Sequence, residues 1–313
     1  MPIQAPPDPP VPATFSVPDA ELPNPLVFIA YGDMRFTNPA ETNASNPAAR
    51  QALIAEAVAL EPAAIFVNGD LPWHGVAEDY AVFREESRVW RQQHLRIYPA
   101  LGNHEFSHCS EPACLELWWN AFPDLRGRRW YSVALGSRVL AVALDSDASL
   151  LPESEQRRWL EHQLSVIDSR VQVILIVLHH PPVADEQTVK SVDHNPRPNE
   201  LALAEYLDGF AAHTRARIVV SAGHIHNYER FDRGGVTYLV SGGGGARPYE
   251  VDRTAADRYQ SADFPNYHLV RFELRDKTLV GKMYRLDTGA ASSPGAQPAA
   301  WEVKDRFELT LLP

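Results

Sequence analysis

Five stretches of this chain place polar, cation-binding side chains directly after short apolar runs: Asp33, Asp70, Asn103-His104, His179 and the pair His224/His226. Each alone has an ordinary explanation. A Gly-Asp after a strand is commonly a turn or a helix cap, and a histidine there is commonly a hydrogen-bonded structural residue. Five in succession, each behind a buried run, favour convergence on one sheet edge. Two carboxylates, an amide oxygen and three imidazoles form a mixed hard and borderline donor set. It suits divalent Mn, Fe or Zn better than Ca or a sulfur-rich structural Zn site. Six protein ligands are too many for one catalytic ion that keeps an open position, and match two ions sharing a bridging carboxylate. Such a pair acidifies a bridging water and clamps a phosphoryl oxygen during in-line displacement. The chemistry implied is hydrolysis of a phosphate ester.

The elements that must position these residues are legible around them. Residues 26–31 (LVFIAY) stop at Gly32-Asp33, 64–67 (AIFV) at Asn68-Gly69-Asp70, and 97–101 (IYPAL) at Gly102-Asn103-His104-Glu105. Short apolar runs stopped by glycine read as buried strands. Helices are predicted between them at 47–60, opening on Pro47, and at 78–94. The second half repeats the pattern: strands at 138–144 and 171–178, the latter ending at His179-His180-Pro181-Pro182, helices near 152–166 and 199–212, and a strand at 218–221 before Gly223-His224-Ile225-His226. Alternation of this kind predicts a βαβ sheet that binds ligands beyond the carboxyl ends of its strands. From 236 onward strands at 236–241, 267–274, 278–285 and 303–311 follow without helices and read as antiparallel. Segments 105–130 and 183–198 have no regular pattern and read as specificity loops.

Composition narrows the function classes. The chain has 313 residues, 45% hydrophobic and 22% charged, with a net charge of −11. An acidic surface of that size repels phosphate backbones, so no nucleic-acid partner is expected. No run of eighteen apolar residues is present, so no membrane-spanning helix is expected. Nine of the 26 prolines fall within residues 1–25, which predicts an extended N-terminal arm there and a single domain over 26–313. No signal peptide is legible in Met1-Pro2-Ile3 or in the proline-rich residues after it. Cys109 and Cys114, in HCSEPAC, sit where a loop could let them pair, and the balance favours a secreted or periplasmic protein over a cytoplasmic one.

Taken in order, Gly32-Asp33, Gly69-Asp70, Gly102-Asn103-His104-Glu105, His179 within HHPP, and GHIHNYER (223–230) resemble the motifs of the calcineurin-like metallophosphoesterases, with GHIHNYER most similar to the purple acid phosphatase branch. The resemblance spans about residues 26–250. It implies an α/β fold, a four-layer αββα sandwich of two mixed β-sheets flanked by helices. It further implies that Asp33 and His226 hold one metal, that Asn103, His179 and His224 hold the other, and that Asp70 bridges them. His180 is the less favoured neighbour of His179. The attacking group would be metal-bound hydroxide, and His104 would protonate the leaving oxygen or stabilise phosphoryl charge.

Two positions depart from the family pattern. Arg35 stands where most members carry the histidine of Asp-x-His, and Trp73 stands where purple acid phosphatases carry a tyrosine ligand. The first metal is therefore expected to be one protein ligand short, without tyrosinate colour; His74 is a less favoured substitute. Arg35 reads either as a bidentate phosphate grip or as a salt-bridged arginine. The glycines at 242–245 shape one wall of the cleft, while Tyr228, His268 and Asp145 read as structural or supporting groups. Trp118 and Trp119 read as packing residues or as a stacking surface. The expected activity is phosphomonoesterase, with hydrolysis of small phosphodiesters as the alternative and a non-catalytic binding module as the third reading.

Overall fold

Runs such as LVFIAY and VILIVL bury every residue, which requires strands covered on both faces. The computed structural model describes residues 12–188, 192–288 and 299–312. Its first half runs β1 (Phe15–Val17), β2 (Leu26–Tyr31), α1 (Pro47–Ala59), β3 (Ala64–Val67), α2 (Ala77–Glu86), α3 (Arg88–Gln92), β4 (Ile97–Pro99), α4 (Glu111–Ala121), β5 (Tyr131–Leu135) and β6 (Val139–Ala143). Then come α5 (Glu155–Ser165), β7 (Val173–Leu178), α6 (Pro198–Ala211), β8 (Arg217–Ala222), β9 (Tyr228–Arg233), β10 (Val236–Ser241), β11 (His268–Arg275), β12 (Thr278–Asp287) and β13 (Ala300–Thr310).

These strands make two mixed sheets, with orders β13-β12-β11-β2-β3-β4 and β1-β5-β6-β7-β8-β10-β9. Side chains of β7 show why both faces must be covered. Val173, Leu175 and Val177 join the core shared with β2, β3 and β11, while Ile174, Ile176 and Leu178 join a second core with Leu160 and Leu164 of α5 and Leu203 and Leu207 of α6. A period of two therefore feeds two cores at once. With α1 on the outside of the other sheet, the order is helix, sheet, sheet, helix, as expected.

Several expectations need correction. The motif-bearing strands do not share one sheet: β2, β3 and β4 lie in the six-stranded sheet, and β7 and β8 in the seven-stranded one. Their carboxyl ends meet across the sandwich, a pairing that apolar runs do not encode. The helix expected over 78–94 breaks at Ser87, whose hydroxyl donates to the Phe83 carbonyl at 2.5 Å. Strand β10 is not wholly antiparallel, because it runs parallel to β8 and antiparallel to β9. Segment 105–130 is not irregular, since Pro112 in the first turn and buried Leu115 and Trp118 one turn apart build α4. Trp118 is thus a core residue, and the indole of Trp119 donates to the Arg128 carbonyl at 3.0 Å. Within the expected N-terminal arm, residues 1–11 lie outside the described residues, and β1 forms the edge of the seven-stranded sheet against β5. An edge is where a proline-rich segment can pair.

The six-stranded sheet depends on its aromatic packing. Phe272 of β11 is fully buried and stacks on Phe28 of β2 at 5.0 Å between ring centroids. Phe272→Ala is expected to lower unfolding free energy by about 3–5 kcal/mol, read as a shifted urea midpoint at unchanged slope. A shift worth less than about 1 kcal/mol would mean that this pair does not anchor the sheet.

Candidate metal centre

Each strand end turns sharply into its polar residue, and several of these residues adopt backbone angles that L-amino acids rarely take. Asp33, Arg35, Asp70 and His224 have φ of 62°, 48°, 55° and 70°. Strain of this kind persists only where surrounding structure over-determines it. Here amide N–H groups of one loop donate to another: Asp33 N–H to the Gly69 carbonyl at 3.1 Å, Arg35 N–H to the Asp70 carbonyl at 3.0 Å, and Gly32 N–H to the Ser241 carbonyl at 3.0 Å. Two glycines are required by proximity. A Cβ on Gly69, at φ 83°, would stand 2.8 Å from Nδ1 of His179, and one on Gly102 would stand 2.5 Å from Oδ1 of Asp70.

The side chains then converge. Nε2 of His179 lies 2.9 Å from Oδ1 of Asn103, 3.3 Å from Oδ1 of Asp70 and 3.1 Å from Nδ1 of His224. On the other side, Nε2 of His226 lies 3.4 Å from Oδ1 of Asp33. Asp33, Asp70 and His179 each present an atom within 4.8 Å of the others, and so do His179, His180 and His224. All six sequence-selected candidates, Asp33, Asp70, Asn103, His179, His224 and His226, are therefore gathered at one place between the sheets.

Tautomers follow from the partners behind them. Nδ1 of His179 meets the Asn68 carbonyl at 2.9 Å, and Nδ1 of His226 meets the Arg247 carbonyl at 2.7 Å. A carbonyl only accepts, so Nδ1 carries the proton in each ring, and Nε2 of the neutral ring is a lone pair. His224 and His226 are held neutral, their pKa values pushed well down by burial first and by neighbouring cationic groups second. The lone pair of His179 thus faces two oxygens, while buried Nε2 of His226 has no hydrogen-bond partner among the described residues. Atoms so arranged repel one another unless a cation lies among them, and this donor set fits divalent ions. Asp33 and Asp70 diverge in the same field. Burial and the neighbouring Asp70 raise Asp33 to about 7, against lowering by Arg35 and the His224 backbone N–H. Burial also opposes the charge on Asp70, but the Arg35 guanidinium and the His104 backbone N–H hold its carboxyl below the usual range.

Arg35 reaches into this centre. Its Nη2 donates to Oδ2 of Asp70 at 3.2 Å, and the guanidinium lies 4.8 Å from the Trp73 ring centroid. His104 stacks on the same indole, 4.7 Å between centroids, and its Nδ1–H donates to the Trp73 carbonyl at 2.5 Å. Its Nε2 is left 3.9 Å from Oδ2 of Asp70, and burial above all lowers its pKa to about 4. His74 is drawn away towards Asp79 and His108, and Trp73 offers no ligand atom. Asp145 binds Arg129, Tyr228 donates to Asp305, and His268 lies between Ser241 and the Asn266 carbonyl. The glycines at 242–245 pass beside the centre, where a Cβ on Gly242 would come within 2.9 Å of Oδ2 of Asp33.

Sequence reasoning did not assign four residues that the geometry makes prominent. Glu105 is fully buried and its carboxylate accepts the N–H groups of Asp70, Leu71 and Gly102 at 3.1, 2.9 and 2.9 Å. Its signal lay in GNHE, one residue beyond His104. Asn68 donates to Ser221 Oγ at 3.0 Å and to the Ala222 carbonyl at 3.2 Å, and so joins the two sheets. The rings of His194 and Tyr249 lie 4.7 Å from those of His224 and His226. Both come from segments without periodicity, and no local signal pointed to them. Cys109 and Cys114 are joined in a disulfide that precedes and enters α4.

An αββα sandwich with this cluster at its strand ends defines a metallophosphoesterase class of protein. The calcineurin-like phosphoesterase family model matches residues 26–228, well over half the chain, and the chain belongs to that family. The family implies a dinuclear metal centre. The chain is similar to probable purple acid phosphatase 20 of Arabidopsis thaliana, 27% identical over 145 residues, which is 42% of this chain and 33% of that protein. Its fold is similar to purple acid phosphatase PPD1 from yellow lupin (Lupinus luteus) seeds, with a TM-score of 0.67 at 16% identity over 91% of this chain and 53% of that one. It is also similar to GAP50, the anchor in the inner membrane complex of Plasmodium, with a TM-score of 0.60 at 14% identity over 92% and 89% of the two chains. The match thus spans about half of the lupin protein and a third of the Arabidopsis one.

Because one carboxylate holds three loop amides, Glu105→Ala is expected to destabilise the fold by at least about 3 kcal/mol, the cost of leaving buried N–H groups unpaired. Thermal and urea unfolding check this. A change under about 1 kcal/mol would show that water replaces the carboxylate.

Proposed function

We propose that the chain hydrolyses phosphate esters, phosphomonoesters before diesters. The observation that carries this reading is the facing of acceptor atoms of His179, Asn103 and Asp70 at 2.9 and 3.3 Å. Asp33 and His226 would hold the first ion, Asn103, His179 and His224 the second, and Asp70 would bridge. The mixed oxygen and nitrogen set suits Mn, Fe or Zn. When bound, two such ions supply Lewis acidity to a phosphoryl oxygen and acidify water into a nucleophile. Hydroxyl and thiol nucleophiles are not needed from the protein.

The residues around the ions have separate tasks. Fixed by the Trp73 carbonyl, His104 directs Nε2 at the cleft, and once that nitrogen takes up a proton the ring can pass it to the leaving oxygen or donate to the phosphoryl group. Arg35, held in place by the Trp73 ring, presents donors beside Asp70. A monoester carries more charge than a diester, and a guanidinium with an imidazole at one edge favours it. Arg35 also brings a fixed positive charge where the family's usual histidine would supply a lone pair, so the first ion binds more weakly than the second. The disulfide favours an oxidising compartment, secreted or periplasmic. No helix among the described residues is long and apolar enough to cross a membrane.

Chelation is expected to abolish hydrolysis of p-nitrophenyl phosphate, with recovery on adding Mn or Zn; full activity after complete metal removal would overturn the reading. Asp70→Asn and His224→Ala are each expected to lower kcat at least about 100-fold. A bis-nitrophenyl diester run in parallel separates the two ester classes, and inactivity on both with tightly held metal would favour a binding module. Metal titration is expected to resolve two affinities, and Arg35→His to tighten the weaker one. If Arg35→Ala leaves kcat and KM unchanged, the arginine does not grip phosphate. The metal-loaded protein is expected to show no tyrosinate–iron absorption band, since Trp73 replaces the tyrosine.

A further inference from the structure

A second group of acids lies outside the centre just described. Asp185 follows the HHPP turn, Glu229 belongs to β9 and Asp257 to the loop after Tyr249, and their exposures are 3%, 0% and 1%. One carboxylate oxygen from each lies within 4.8 Å of the other two. Calcium–oxygen bonds of about 2.3–2.6 Å let a single ion touch oxygens up to about 4.6–5.2 Å apart. The neighbours leave the charge largely uncompensated. Asp185 accepts from the hydroxyl of Thr254 at 2.5 Å and from its N–H at 2.9 Å, and Oε1 of Glu229 accepts the Asp185 N–H at 3.1 Å. These donors are neutral. Arg253 pairs with Asp257, which also accepts the N–H groups of Arg230 and Tyr259. Among the described residues, these three carboxylates thus share one guanidinium.

An independent feature points to a ligand. Oε2 of Glu229 is buried and has no hydrogen-bond partner among the described residues. A buried carboxylate oxygen left alone costs free energy unless a proton or a cation meets it. Burial and then Asp257 raise the Glu229 carboxyl to about 8, against lowering by the Asp185 N–H and by Arg253. A cavity of about 330 Å³ is lined by Asn227, Asp252, Arg253 and Gln260, and the last two bond Asp257.

From this geometry we infer that Asp185, Glu229 and Asp257 form a second cation site, separate from the phosphoesterase centre, for a hard divalent ion of the calcium type. The donor set is all oxygen, unlike the mixed set of the centre, and selects Ca²⁺ over Zn or Fe. Carbonyls and water from the adjoining cavity would complete its shell. The ion fastens β9, which begins two residues beyond His226, to the loops carrying Asp185 and Asp257. Gln187 already bridges those loops through the Asp185 and Asp252 carbonyls at 2.9 and 3.1 Å. Its role is structural, and it does not depend on what the centre hydrolyses.

Calorimetric titration of Ca²⁺ into protein saturated with Zn or Mn tests the inference, with thermal unfolding alongside. Binding of one Ca²⁺ per chain is expected, with Tm rising as Ca²⁺ increases. Glu229→Gln is expected to weaken Ca²⁺ at least about tenfold and to remove the Tm response, and Asp185→Asn gives a second reading if that variant folds poorly. Asp70→Asn is expected to keep Ca²⁺ binding, which separates this site from the centre. The inference fails if the wild type gives neither heat nor Tm shift. It fails equally if Glu229→Gln and Asp185→Asn bind Ca²⁺ as the wild type does, or if infrared spectra of the Ca²⁺-treated protein retain a protonated carboxyl band that Glu229→Gln removes.

Discussion

Two sheets end against each other on a set of atoms that repel. Oxygens of Asp33, Asp70 and Asn103 and ring nitrogens of His179, His224 and His226 are all brought to one seam, and most of them offer lone pairs. In a buried setting this arrangement is costly unless a cation sits among them. The rest of the molecule can be understood as the scaffold that holds those atoms in place despite the repulsion. Strand ends from both sheets are fastened through Asn68, backbone turns are locked at left-handed angles, and Glu105 grips three amides from below. Metal binding would then release repulsion that folding has built up, so affinity and foldedness are linked at this seam.

The centre also shows how a family pattern can be altered without losing its geometry. Arg35 takes the place of a family histidine, yet its guanidinium still reaches Asp70, and Trp73 takes the place of a tyrosine, yet its ring and carbonyl position Arg35 and His104. In the proposed centre this would leave one ligand fewer and one positive charge more at the first ion. Cation–π contact fixes the arginine's direction, which a solvent-facing salt bridge would not do. Of the two readings of Arg35, the salt bridge is the one seen, to Asp70, and the phosphate grip belongs to the proposed function.

Around this seam, packing and polarity divide the labour. Alternate residues of β7 serve two cores, so the strand cannot slip by one residue without exchanging both. That register fixes where His179 emerges. The loops beyond the strands carry His194 and Tyr249, whose rings close over His224 and His226. The acid cluster of Asp185, Glu229 and Asp257 lies behind the same loops, so the walls of the centre rest on a second concentration of charge.

Much of the chemistry was legible in the chain. The order of apolar run and polar residue, with a glycine between them everywhere but before His179, placed Asp33, Asp70, Asn103, His179, His224 and His226 at strand ends, because a buried strand needs no partner information to be recognised. The helices α1, α5 and α6 and strand β7 were readable for the same reason, while β1 and β9 were missed because short or half-polar strands carry weak periodicity. The sequence could not say that the six residues divide between two sheets, that Glu105 faces inward to three amides, or that His194 and Tyr249 approach from afar. By itself, then, the sequence determined which side chains end which strands, since burial and turn chemistry are local. Only the tertiary structure decided which of those ends meet, because distances across a sandwich depend on how whole sheets stack, and no residue spacing encodes that.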